Sequence, residues 1–240
     1  QNKIDAIYNK KKLNDNELEK IILEVKQKII SGVNVTVPFK NTIIPYLDEL
    51  SEEAKNTQSV NTIYLKDKKV IGHNTDIDGF ENAIKKINFN FKNKKIFILG
   101  AGGVVSSVIY ASQKMGSSEI IISNRTEEKA EKIKNIFNNI KLIDWGKVPN
   151  FDVIINATSV GLNKNEKIDL DYSKIGKGKL FYDVIYNPNE TNFLKMAKNL
   201  GNKVENGKKM FIYQAAAAFK IWHGIQPNIN DEVLGLLDWC

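Results

Sequence analysis

The chain has 240 residues, 42% hydrophobic and 26% charged, an ordinary globular composition large enough to bury one large core or two small ones. Its one cysteine, Cys240, excludes an internal disulfide and a thiolate metal cluster; with no apolar signal core at the start and no run near the ~20 apolar residues of a membrane span, a cytoplasmic protein is expected. The net charge of +7 is mostly lysine interleaved with asparagine, as in N-K-K-K at 9–12, without an Arg-rich stripe, so a solvated surface is expected and nucleic-acid or membrane partners are not.

Residues 5–8 read as the end of a strand. Leu18, Ile21, Ile22, Val25 and Ile29 then recur at helical spacing on one face, with Asp15 placed as N-cap and Gly32 as the stop. Residues 33–37 predict a strand ended by Pro38, followed by short helices through Leu47 and Ala54. Residues 62–65 and 69–71 predict a hairpin turning at Asp67-Lys68. The middle of the chain changes rhythm. A continuous apolar strand at 96–99, a glycine cluster and a helix through Met115 precede a strand at 120–122 and a helix at 127–137. Strands at 153–155 and 180–182 follow, then a helix at 191–200 stopped by Gly201. This alternation predicts an α/β fold with a doubly wound parallel sheet. The Ala- and aromatic-rich helix at 207–222, and a further one at 231–237, have no strand partner and are expected to return to the first domain. The expected division is 1–82, 83–205 and 206–240.

Gly100-Ala101-Gly102-Gly103 directly follows the apolar strand and opens a helix. In that setting glycines allow a tight turn and close approach of a pyrophosphate to the free N–H groups of the helix N-terminus. The third glycine of the usual pattern is replaced by Val105. The next strand ends in Ser123-Asn124-Arg125-Thr126, with Lys129 one turn on. An acid there would bind a ribose 2′-hydroxyl; a guanidinium suits a 2′-phosphate, so the expected cofactor is NADP.

Three polar motifs end strands in the first third: N-V-T-V-P-F-K at 34–40, V-N-T at 60–62 and N-T-D-I-D-G-F at 74–80. Thr36, Lys40, Asn61 and Asp76 together suit a polyhydroxylated ligand and a proton donor, which hydride transfer to a ketone requires for the developing alkoxide. His73 and His223 have no metal-ligand spacing and read as packing or surface residues.

With G-A-G-G at 100–103, N-R-T at 124–126, N-A-T-S-V-G at 156–161, D-V-I-Y-N-P at 183–188 and N-G-K-K-M-F-I-Y-Q-A-A at 206–216, these motifs stand in one order along essentially the whole chain. The chain resembles the shikimate dehydrogenase family. The resemblance implies a two-domain enzyme, an N-terminal α/β substrate domain and a Rossmann-type domain, that reduces 3-dehydroshikimate to shikimate with NADPH in aromatic amino-acid biosynthesis. It implies Lys40 as acid/base with Asp76 as partner, and Thr36, Asn61, Tyr186 and Gln214 around the ring and carboxylate. Gly100, Ala101, Gly102, Gly103, Val104, Asn124, Arg125, Thr126, Lys129, Val184 and Gly207 would line the NADP channel, with Glu52 beside the nicotinamide.

The family's first strand and its Ser-x-Ser motif are absent ahead of residue 8, and the expectation is that this sequence starts late relative to the family. Gln58-Ser59 replaces the usual Gly-Ala, and Leu162 the usual Met; both are expected mainly to tune packing. A quinate/shikimate dehydrogenase of broader range and a non-catalytic ligand-sensing relative stand as alternatives, and monomer and homodimer are both open.

Overall fold

Asp67 and Lys68 both adopt left-handed backbone (φ 50° and 65°), the two-residue geometry whose twist suits a tight hairpin. They join β3 (Thr62–Lys66) to β4 (Lys69–His73) in the computed structural model, which describes residues 4–163 and 165–237; Cys240 and residues 1–3 lie outside the described residues. β1 (Gly32–Asn34) pairs antiparallel with β3, and the short β2 (Glu49–Leu50) pairs parallel with β4, giving a four-stranded sheet ordered β1-β3-β4-β2. α1 (Leu18–Lys26) covers it with Leu18, Ile21, Ile22 and Val25, all buried.

Several local expectations shift. Residues 5–8 form no strand: they are exposed, pair with no strand among the described residues, and are held instead by Tyr8, whose hydroxyl donates to Asn34 Oδ1 at 2.9 Å. The first helix is entered through a 3-10 turn, Asp15–Glu17, where the Asn14 N–H donates to Glu17 Oε2 at 2.8 Å, so the cap is Asn14 and not Asp15. α1 stops at Lys26 because Lys28 turns left-handed (φ 62°). Ile29 therefore leaves the apolar face and is 69% exposed. Gly32 does not end a helix but opens β1, where any Cβ would lie 2.2 Å from Trp222 Nε1. The strand foreseen at 33–37 leaves its ladder after Asn34; Thr36 O accepts from Phe39 N–H at 2.9 Å and turns the chain toward the second sheet.

The second sheet is parallel throughout, ordered β10-β9-β8-β5-β6-β7: β5 (Lys95–Leu99), β6 (Glu119–Ser123), β7 (Lys141–Ile143), β8 (Val153–Asn156), β9 (Leu180–Asp183) and β10 (Lys203–Glu205). The central strands β5, β8 and β9 are almost entirely buried, as their unbroken apolar runs require. α4 (Val105–Lys114), α5 (Glu127–Ile136) and α6 (Asn192–Asn199) cross over between strands, and Val105 is buried in the core shared with Ile98. The edge strands β7 and β10 escape the sequence pattern, each being three residues with an exposed lysine.

α2 (Glu52–Thr57) and α3 (Asp76–Lys86) lie between the sheets. α7 (Lys208–His223) returns from the second sheet and packs against α3, followed by α8 (Asp231–Gly235). Gly79 permits the approach: a Cβ there would meet Met210 O at 2.7 Å and Gln214 Cβ at 2.8 Å. At its far end Trp222 Nε1 donates to Ile63 O at 3.1 Å, tying α7 to the first sheet. No helix among the described residues is long and apolar enough to cross a membrane.

Candidate active site

Polar residues that follow strands of the first sheet lie against the glycine turn that follows β5. Lys40 Nζ donates to Asp76 Oδ2 at 2.5 Å, and the two side chains are only 11% and 8% exposed. Lys40 is placed by its own backbone, whose carbonyl accepts from Val60 N–H at 2.8 Å, and Asp76 opens α3. Asn61 donates to Asp76 Oδ1 at 2.9 Å, while its Oδ1 takes Thr75 N–H at 2.7 Å and the Thr62 and Thr75 hydroxyls at 3.1 Å. An amide saturated in this way has one orientation, so it holds the second carboxylate oxygen in register. Asn61 Nδ2 also reaches Gln214 Oε1 on α7 at 3.5 Å. Tyr186 stacks on Phe211, ring centroids 4.7 Å apart. Thr36 is exposed at the rim.

The glycine turn faces this pair. Gly100 (φ 110°) has a backbone that L side chains rarely adopt, and a Cβ there would meet Ala157 O at 2.8 Å. A side chain begun at Gly103 would lie 3.6 Å from Lys40 Cδ and 3.8 Å from Val37 Cγ2. Ala101, Gly102 and Val104 continue the turn into α4, whose unpaired N–H groups and dipole favour an anion. At the end of β6, Asn124 Nδ2 donates to Thr126 O at 2.6 Å, while Arg125 and Lys129 are exposed with no ion pair among the described residues. This is a cradle with two free cations at its edge, the donor set a phosphorylated dinucleotide needs. Val184 N–H donates to Asn156 O at 2.9 Å, and Gly207 lies so close beneath that a Cβ would sit 2.0 Å from Val184 O. Glu52 stands apart: it occupies the exposed first turn of α2, whose opposite end approaches the glycine turn.

Some connections had no sequence signal beyond residence in a motif. Ser59, expected mainly to tune packing, donates to Gly103 O of the glycine turn at 3.4 Å. Asn74 binds Thr57 and Ser107, and Asp183 collects Asn156, Ile185 N–H and Thr191. Burial lifts the Asp183 carboxyl to about 6 against those three donors. Burial likewise lowers His73, opposed by Glu53, whose Oε2 lies 3.7 Å from Nδ1. That makes His73 a packing residue beside an acid.

A parallel sheet with a glycine turn at its crevice, opposed by a shielded lysine–carboxylate pair, defines a two-domain dinucleotide-dependent dehydrogenase. Comparison with known proteins narrows the class. Residues 1–63 match the family profile described as shikimate dehydrogenase substrate binding domain, 81–202 that of shikimate/quinate 5-dehydrogenase, and 209–231 the shikimate 5′-dehydrogenase C-terminal domain. The chain is 56% identical over 236 residues to a shikimate dehydrogenase (NADP(+)) of Pelagibacter ubique, covering 98% of this chain and 89% of that protein. The crystal structure of shikimate dehydrogenase from Aquifex aeolicus superposes with TM-score 0.83 at 37% identity, covering 95% of this chain and 83% of that one. The Thermus thermophilus shikimate 5-dehydrogenase in complex with NADP(H) and shikimate does so with TM-score 0.80 at 32% identity, covering 89% and 80%. The chain belongs to the shikimate dehydrogenase family.

Proposed function

We infer that this chain reduces 3-dehydroshikimate to shikimate with NADPH, an oxidoreductase step of the shikimate pathway carried out in the cytoplasm. The observation that carries the reading is the Lys40–Asp76 pair, shielded from solvent and facing Gly103 of the dinucleotide turn. Gly100, Ala101, Gly102, Gly103 and Val104 would receive the pyrophosphate, Arg125 and Lys129 the 2′-phosphate with Asn124 and Thr126 shaping their loop, and Val184 and Gly207 the nicotinamide end. Glu52 supports this least, lying at the outer end of α2. When bound, the dinucleotide supplies the hydride. Lys40 Nζ gives a proton to the alkoxide oxygen that develops on the ring, and Asp76, fixed through Asn61, keeps that ammonium in place and accepts from a ring hydroxyl. Thr36, Asn61, Tyr186 and Gln214 ring the substrate, and closing such a site excludes water from the transfer. We divide the chain into a substrate domain (1–82), a dinucleotide domain (83–205) and returning helices (206–240), with α3 running unbroken through the first division.

The test follows reduced-nicotinamide absorbance with shikimate as reductant. Turnover with NADP and much weaker turnover with NAD are expected, and equal use of quinate would widen the substrate range. A protein that binds NADP but turns over neither acid would overturn the reading in favour of a ligand-sensing module.

A further inference from the structure

Asn74, which closes β4, is wholly buried, and every hydrogen-bonding position of its amide is used. Nδ2 donates to Thr57 Oγ1 at 3.0 Å and to Ser107 Oγ at 2.9 Å; Oδ1 accepts from Asp76 N–H at 3.1 Å and from the Ser107 hydroxyl at 3.2 Å. One side chain thereby joins the end of α2, the start of α3 and the first turn of α4. Ser107 is also wholly buried. A buried helical serine commonly bonds back to the preceding turn, as Ser112 does to Val108 O at 2.7 Å, yet both side-chain hydrogen bonds of Ser107 go to Asn74.

The geometry has a chemical consequence. Asp76 N–H is an open donor at the start of α3, and Asn74 both satisfies it and grips the helix that begins at the glycine turn. We propose that Asn74 and Ser107 form a buried latch fixing the Lys40–Asp76 pair relative to the dinucleotide turn, which makes them positioning residues for hydride transfer. The proposal rests on the functional reading above. Sliding α4 against α3 would break both hydrogen bonds between Asn74 and the buried Ser107 hydroxyl, so the latch resists the small displacements to which a transfer step is most sensitive. The single contact between Ser59 and Gly103 O is too long to do this alone.

The test compares wild type with Ser107→Ala, Asn74→Ala and the double variant, reducing 3-dehydroshikimate with NADPH and with its C4-deuterated form. A misplacement near 1 Å costs roughly 10²-fold, so each single variant is expected to lose on the order of 10- to 100-fold in kcat. NADP affinity by fluorescence titration should be essentially unchanged, and the isotope effect larger and steeper with temperature. The double variant should be no worse than Asn74→Ala, as two ends of one latch require. Wild-type kcat and isotope effect with only a lowered melting temperature would overturn the proposal, as would additive losses. Should Asn74→Ala not fold, Ser107→Ala carries the test. If wild type itself has no turnover, the functional reading fails separately. The latch is then judged by amide hydrogen exchange at Asp76 and in the first turn of α4, where acceleration in Ser107→Ala supports it and unchanged exchange overturns it.

Discussion

Asp183→Asn should make the protein's stability less sensitive to pH between about 4 and 7. The Asp183 carboxyl is fully buried and accepts from Thr191 Oγ1 at 2.7 Å and from Asn156 Nδ2 and Ile185 N–H at 3.0 Å. Burial nevertheless outweighs these donors and raises its pKa from 3.8 to about 6. The native state therefore binds more protons than the unfolded chain between those values. This group's contribution to stability is fully present below about pH 4 and is lost as pH rises through 6. A gap of about two units at ~1.4 kcal/mol each gives roughly 3 kcal/mol as an upper bound. Asparagine keeps the shape: its oxygen can accept from Asn156 and Ile185, and its nitrogen can donate to Thr191 Oγ1. Urea unfolding from about pH 4 to 7.5 should show the wild type losing roughly 2–3 kcal/mol relative to the variant as pH rises. At the upper end the variant should be at least as stable. Parallel curves for the two proteins would refute the reasoning.

Gly79→Ala should destabilise by overpacking, since its Cβ meets Met210 O at 2.7 Å; a net loss of about 1–3 kcal/mol would lower the melting temperature by roughly 2–10 °C in calorimetry. Arg125→Ala should raise the KM for NADP about 10- to 150-fold, the loss of a charge-assisted contact worth roughly 1.5–3 kcal/mol, while NAD use measured in parallel stays nearly constant.

Much of this was legible because the second sheet is buried on both faces. Its strands read as unbroken apolar runs at 96–99, 120–122, 153–155 and 180–182, and all four are strands within a residue or so. The hairpin at Asp67-Lys68 was equally plain, because two left-handed residues suit one turn type. The edges were not: β7 and β10 are too short and lysine-bearing to alternate visibly, and β2 is two residues long. Residues 5–8 carry an apolar pair with no partner strand among the described residues, so the propensity had nothing to act on. At the site, the Lys40–Asp76 pairing follows from motifs 36 positions apart, whereas Ser59 and Ser107 carry no mark until folding sets them against Gly103 and Asn74. Hydroxyls are common in sequence, and only burial shows which of them bridge.

Lys40→Ala bears most directly on the claim that the shielded lysine delivers the proton. With shikimate and NADP both saturating, kcat should fall by on the order of 10²–10⁴, the usual reach of general acid–base catalysis, while NADP still binds with wild-type affinity. A variant that turns over at nearly the wild-type rate would contradict the account, because no other lysine among the described residues pairs with Asp76.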